Sequence, residues 1–159
     1  MQNLTAKELR GLFGQYPTGV TIVTTKDSAG NPCGMTANSF ASVSLEPPLI
    51  SWCVDSGGSA HEIFTTCSHF AVHFLNVDQQ HCSDIFATSA SEERFSQVDW
   101  TDGAFGSPII SNSLSIFECA MEAVYPGGDH SIVVGRVESA QWRDDQEPLL
   151  FHRGNYKTF

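Results

Sequence analysis

The sequence is poor in cations. Its 159 residues hold 8 Lys and Arg against 18 Asp and Glu, a formal net charge of -10. That deficit argues against a nucleic-acid binder, which needs cations to meet phosphate. It argues equally against an anionic membrane surface as partner. Long apolar runs are missing too; none approaches the roughly 20 residues of a membrane-spanning helix. The start, Met1-Gln2-Asn3-Leu4-Thr5, has neither the basic region nor the apolar stretch of a signal peptide, which predicts a cytoplasmic protein. The five cysteines, Cys33, Cys53, Cys67, Cys82 and Cys119, are odd in number and form no C-x-x-C pair. Neither a disulfide framework nor a zinc ribbon is indicated, and small buried thiols in a reducing compartment are expected.

Familiar catalytic motifs are also absent. There is no G-x-G-x-x-G after a strand and no P-loop; the glycine pairs Gly11/Gly14 and Gly103/Gly106 lack the third glycine and the context. No G-x-S-x-G elbow or H-E-x-x-H helix occurs. Six histidines invite a metal reading. His69 and His73 are four apart on a segment that alternates like a strand, where they would stand about 13 Å from each other, too far for one ion. No metal is expected.

What is present is an ordered set of strands. Charged residues make up only 16% of the chain and hydrophobic ones 41%, with Phe at 11 positions, so the chain can fill a core and is not disordered. Its length suits one domain over residues 1–159. Thr5-Ala6-Lys7-Glu8 fits a capping box for a short first helix with Leu9, Leu12 and Phe13 as its apolar positions, ended by Tyr16-Pro17. Strands are predicted at Val20–Thr25, at Leu49–Val54 and at Phe70–Phe74, where apolar and other residues alternate. Asp27–Pro32 reads as a turn. A short helix is expected over Ser59–Cys67, capped by Ser59 or a neighbour, and another from Asp78 to about Phe86. Ser89–Asn112 reads as irregular. Two long strands, Leu114–Tyr125 and Ser131–Trp142, join through Pro126-Gly127-Gly128-Asp129 as a hairpin. Pro148–Tyr156 gives a last strand and turn. Many strands and few short helices, without β-α-β-α alternation, predict a mainly β, antiparallel barrel, closed or partly closed, with peripheral helices.

One segment stands out: Gly34-Met35-Thr36-Ala37-Asn38-Ser39-Phe40-Ala41-Ser42-Val43-Ser44. It is dense in small hydroxyl and amide residues. Small residues let a flat or anionic ligand approach the backbone, whose N–H groups join the Thr, Asn and Ser side chains as hydrogen-bond partners. The same composition also suits an edge strand turning into a loop.

This segment resembles the flavin-binding strand of the flavin reductase-like family of FMN-binding split barrels, which includes reductase components of two-component flavin-dependent monooxygenases. Pro17-Thr18-Gly19-Val20 looks like that family's opening strand. Pro47-Pro48, Phe70–Asn76, Gly128-Asp129-His130 with Gly135-Arg136-Val137, and Gly154-Asn155-Tyr156 follow in the same order. The resemblance implies a split β-barrel of Greek-key character, FMN or FAD as flavin, and NADH or NADPH as hydride donor. It implies a homodimer and a possible monooxygenase partner, with no nucleic acid and no membrane. It places Thr36, Ala37, Asn38 and Ser39 along the flavin, with Trp52 and Cys53 alongside. Ser59 and His61 would lie near its phosphate and Arg94 would supply a cation. Asp129 would shape the turn that sets His130 at the nicotinamide. The chain departs from the family at Asp55-Ser56-Gly57-Gly58, where relatives often carry a cation, and at His73, where many have Asn. No acid–base pair is required, because the cofactors carry the chemistry. Two alternatives share the barrel: a flavin or haem carrier or sensor without nicotinamide turnover, and a pyridoxamine-phosphate oxidase-like enzyme. The latter needs a basic cluster in which this sequence is poor.

Overall fold

The computed structural model describes residues 4–159, the side chain of Glu92 excepted. Met1-Gln2-Asn3, on which the absence of a signal peptide was partly read, lie outside the described residues. The chain opens with α1 (Ala6–Phe13). Thr5 Oγ1 accepts from the Glu8 N–H and the Glu8 carboxylate from the Thr5 N–H, completing the capping box. The strands β1 (Thr18–Gly19), β2 (Thr21–Lys26), β3 (Pro32–Ala37), β4 (Ala41–Leu45) and β5 (Pro48–Asp55) follow, then α2 (His61–Thr66) and β6 (His69–Phe74). A 3-10 turn at Val77–Gln79 leads into α3 (Gln80–Thr88) and α4 (Ser91–Arg94). The chain ends with β7 (Trp100–Asp102), β8 (Pro108–Ile110), β9 (Ser115–Gly127), β10 (His130–Trp142), β11 (Leu150–His152) and β12 (Asn155–Lys157).

Seven strands form one antiparallel sheet in the order β3-β2-β6-β9-β10-β5-β4. The two edge strands, β3 and β4, are consecutive in sequence, joined by Asn38-Ser39-Phe40 alone. A three-residue link reaches no further than about 14 Å. The far edges of a seven-stranded sheet therefore have to meet, and the sheet must roll up. No ladder joins β3 to β4 among the described residues, so the barrel is split along this seam. The expected mainly β split barrel with short peripheral helices is what the chain forms.

Two apolar clusters sit on opposite faces of the rolled sheet. The inner one contains Val23, Trp52, Phe70, Val72 and Val133 and is plugged by Phe64 of α2. Trp52 meets Phe64 edge-on at 5.0 Å between ring centres. The outer one packs Ile22, Leu75, Ile110 and Leu149 under Phe86 of α3 and Phe95. Because β6 has both clusters against it, both of its faces are buried. The alternation in its sequence marks inner against outer core rather than core against water.

Several boundaries differ from expectation. The turn before α3 is capped by Asn76, whose side chain accepts from Asp78 N–H while Gln79 answers it, so Asp78 is not the cap. The helix after Ser59 has Ala60 at its cap position with no side-chain hydrogen bond. The stretch read as irregular holds α4 and the β7–β8 hairpin. Strands of three residues are too short to show a period. The hairpin between β9 and β10 is tighter than its composition suggests. Only Gly128 and Asp129 lie between the strands, and Gly128 has φ 79°. A glycine with positive φ at the first central position fits the primed turns that match strand twist. No described helix is long and apolar enough to cross a membrane.

Candidate functional site at the barrel seam

An unladdered seam leaves main-chain N–H and C=O groups of two edge strands without strand partners. Such groups are available to a ligand with a polar edge. The small-residue segment singled out in the sequence is this seam. Asn38 and Ser39 cross it and are exposed. The Ser39 hydroxyl accepts from the Cys53 N–H at 2.9 Å, fastening the crossing to β5. The side chains of Thr36 and Ala37 are already engaged or hidden. Thr36 Oγ1 donates to the Ser83 carbonyl of α3 at 2.7 Å, and the Ala37 carbonyl accepts from Thr21 Oγ1 at 2.7 Å.

The far end of β5 joins this seam to the hairpin tip. Asp55 pairs with His130 and Cys53 with Ile132 across β5 and β10. The Asp129 carbonyl accepts from the Ser56 N–H at 3.0 Å, which holds the tip against the loop after β5. The Asp129 carboxylate lies 2.7 Å from His130 Nδ1. A carboxylate only accepts, so Nδ1 carries a proton and Nε2 faces away from Asp129. Hydrogen bonding from His130 holds the Asp129 carboxyl below the usual carboxylate range. His61, at the start of α2, meets Ser131 through Nε2 at 2.9 Å. Ser39, Cys53, His61, Asp129 and His130 thus belong to one corner of the barrel.

Three expectations need correction. Trp52 was placed beside the flavin, but it is 0% exposed and belongs to the inner core. On β5 the residues alternate, and Trp52 points inward where Cys53 points out. Arg94 was expected to offer a free phosphate cation. Its Nη1 donates to the Gly34 carbonyl at 2.6 Å and its Nε to the Ser89 carbonyl at 3.0 Å, so it braces α4 against β3. Ser59 was expected at a helix start with open amides. The Gly57 and Gly58 N–H groups bond to Asp55 and the His61 N–H to Gly58, and α2 has only six residues. Asp55 therefore occupies the amides an anion would use. Ser59 instead lines a cleft of ≈ 570 Å³ between β3, α2 and α4, together with Cys33, Ser91 and Phe95. Burial pushes the Cys33 thiol up to about 11, so it is no nucleophile at neutral pH.

One residue escaped the sequence reading. Thr18 lies in a cavity of ≈ 260 Å³ at the seam that Asn38, Phe40, Phe74 and Leu149 also line, and its hydroxyl is buried without a partner. An orphaned hydroxyl among apolar walls fits a flat ring with a polar edge, which is the chemistry of an isoalloxazine or a nicotinamide. The signal for it was Pro17-Thr18-Gly19, which reads as strand and gives no hint that the hydroxyl faces a cavity. Among the described residues no cluster of three or more His, Cys, Asp or Glu could hold a metal ion.

Comparison with known proteins bears on this site. The family model for the flavin reductase like domain matches residues 13–159. The chain is 42% identical over 152 residues to "Probable flavin reductase" of Rhizobium meliloti, covering 96% of this chain and 48% of that protein. It therefore spans about half the length of that relative. It is 41% identical over 154 residues to "FMN reductase (NADH) SmoA" of Agrobacterium fabrum, covering 97% of this chain and 86% of that one. Among solved structures, the NADH:FAD oxidoreductase SgcE6 of Streptomyces globisporus, in complex with NAD and FAD fragments, superposes with a TM-score of 0.91. It is 39% identical, with 100% of this chain and 97% of that chain covered. With its fold and nearly its whole length matched, the chain belongs to the flavin reductase-like family.

Proposed function

We propose that residues 1–159 form a single flavin reductase-like domain that transfers a hydride from NADH or NADPH to FMN or FAD, as a cytoplasmic homodimer that supplies reduced flavin to a monooxygenase. The observation that carries this reading is the match, over nearly the whole chain, to proteins named for NADH-dependent flavin reduction. The alternative carrier or sensor function has no comparable support. The five free thiols suit a reducing compartment.

When bound, the flavin supplies the two-electron acceptor chemistry. The chain's part is to bind and orient. Asn38 and Ser39 at the seam, with the main chain of Cys53, offer hydrogen bonds to a polar ring edge, and Thr18 Oγ1 adds one from the cavity floor. His61, held to Ser131 through Nε2 at the same corner, is assigned to the phosphorylated tail. His130, fixed by Asp129 through Nδ1, presents Nε2 to the nicotinamide carboxamide. Orienting two reactants turns their encounter into an effectively unimolecular step, which is why no acid–base residue is demanded.

Following NADH oxidation with FMN, FAD and riboflavin in turn tests the activity. A purified protein that retains flavin or haem yet consumes no NADH with any flavin sinks the reductase reading in favour of a carrier. The assigned role of His130 has its own test. His130→Ala is expected to raise the KM for NADH about tenfold, the effect of one lost hydrogen bond of about 1.4 kcal/mol, while flavin affinity stays the same. Wild-type KM in that variant refutes the role.

A further inference from the structure

A second cavity, of ≈ 520 Å³, lies behind the seam and is not used by the flavin reading. It opens between the 3-10 turn with the start of α3, the loop after α4, the loop after β8 and the segment before β11. Leu75 and Leu149 line the seam cavity, whereas their chain neighbours Asn76 and Gln146 line this one. The two segments form the wall between them: the Leu149 N–H donates to the Leu75 carbonyl at 2.9 Å and the Val77 N–H to the Glu147 carbonyl at 3.0 Å. The volume falls within the range of small-molecule sites.

The lining has used its donors and kept its acceptors. The Asn76 amide donates to the Asn112 carbonyl at 2.7 Å and the Gln79 amide to the Ser111 carbonyl at 2.9 Å. The Gln97 amide and the Ser96 hydroxyl both donate to the Glu93 carbonyl. His81 Nδ1 lies 3.2 Å from the Asp78 carbonyl, to which it can only donate, and Nε2 then accepts from the Cys82 thiol at 3.3 Å. What is left is acceptor chemistry. Among the described residues, the Asp78 and Asp99 carboxylates take part in no ion pair. Gln146 Oε1 is buried without a partner, an arrangement that a donor from outside relieves. No described Lys or Arg lines the cavity. Arg143, which reaches Asn112 Oδ1 at 3.4 Å, is claimed by Asp145 at 2.9 Å. Val98 and the buried Ile110 add apolar wall, and His73 fixes the Ile110 N–H.

We propose that this cavity binds a small aliphatic cation, an alkylamine or alkylguanidine. Its charged groups face Asp78 and Asp99, one N–H donates to Gln146 Oε1, and its methylenes lie on Val98 and Ile110. Ammonium and guanidinium groups offer donors and no acceptor, the complement of this lining. A metal ion does not suit it, since no group of three or more His, Cys, Asp or Glu that could hold one occurs among the described residues. The site stands apart from the flavin reading and is open whether or not the seam is filled.

Equilibrium dialysis of the 159-residue chain against agmatine at fixed ionic strength tests this. Agmatine carries an ammonium and a guanidinium on one short methylene chain. Saturable one-to-one binding is expected. Asp78→Asn with Asp99→Asn is expected to weaken it at least tenfold, and Gln146→Leu about tenfold, the effect of one hydrogen bond to a charged group. Glu46→Gln with Glu62→Gln removes two exposed charges that do not line the cavity and is expected to leave the affinity unchanged. Saturating FMN is expected to leave it unchanged as well. No saturation by about 10 mM refutes the site. So does a control pair that weakens binding as much as the cavity pair, because the cation then follows only the overall negative charge. Wild-type affinity in both the Asp pair and Gln146→Leu refutes it too. If FMN and agmatine displace one another, the cavity belongs to the flavin site and the inference falls while the reductase reading stands.

Discussion

His73 shows how one residue can be written into a core. Its Nε2 accepts from the Ile110 N–H at 3.2 Å, which requires that nitrogen to be unprotonated, and its Nδ1 lies 3.0 Å from the Ile22 carbonyl, to which it donates. The neutral ring thereby links β2, β6 and β8, serving main-chain groups that the outer cluster would otherwise strand. Complete burial pushes its pKa down to about 4 from 6.5. The sign of the linkage follows. Above pH 6.5 the ring is neutral in both folded and unfolded chains, and its contribution is fully present. As pH falls from 6.5 towards 4, the unfolded chain takes up a proton that the folded one refuses, and stability drains by up to about 3 kcal/mol. His73→Gln, which can still donate and accept but does not titrate, is expected to lose stability overall yet flatten this pH dependence. Denaturant unfolding at pH 7 and at pH 4.5 compares the two slopes. An equally steep loss in the variant removes His73 as the source. None of this was visible in the sequence, where His73 looked like a departure from family pattern. What made it legible was β8, a strand too short to be read in advance.

At the scale of elements, the sequence spoke clearly wherever local chemistry decides. Thr5 and Glu8 foretold α1, and Pro126-Gly127-Gly128-Asp129 foretold the hairpin. The composition of Asp27–Pro32 foretold the β2–β3 turn, where the Asp27 carboxylate accepts from the N–H groups of Ala29 and Asn31. It was silent where tertiary neighbours decide. The pairing of β6 with both β2 and β9 follows from no local pattern, nor does the seam between β3 and β4, although the polar small residues that form the seam were conspicuous. Trp52 was misplaced for the same reason: a period of two says that Trp52 and Cys53 face opposite ways, but not which face is the inside. Gly135 gives this packing a measurable edge. It sits at a register shift in β10, and a Cβ there would collide with the Phe70 ring and meet Cys119 Cβ at 3.0 Å. Phe70 is itself locked against Trp52 in the inner core, at 6.0 Å between ring centres. Gly135→Ala should therefore cost about 1–3 kcal/mol by overpacking. A chemical-denaturation midpoint unchanged from wild type would show that the ring can swing aside.

For the molecule as a whole, the shortage of cations becomes a statement about substrates. Most of the eight are committed. Lys26 pairs with Asp102 at 2.6 Å, Arg136 with Glu138 at 3.3 Å and Arg143 with Asp145 at 2.9 Å. Arg94 is held by carbonyls and Arg153 by Gln15. Lys7 and Arg10 belong to α1, and Lys157 to the last strand. The strand partner of His130 is Asp55 and its side-chain partner is Asp129, both acidic. Nothing there rewards the extra phosphate that distinguishes NADPH from NADH, which adds a charge of about -2 at neutral pH. The net charge of -10 opposes it further, over a range set by ionic strength, about 10 Å at 0.1 M salt. The proposed reductase should then favour NADH over NADPH by about tenfold or more in kcat/KM at low salt. The ratio should narrow as salt rises, because screening relieves the repulsion of the more highly charged donor more than that of the other. Steady-state rates with both donors across a salt series read this directly. A preference for NADPH would refute this reading and point to a cation brought to the donor's ribose phosphate. A ratio indifferent to salt would mean that shape, not charge, makes the choice.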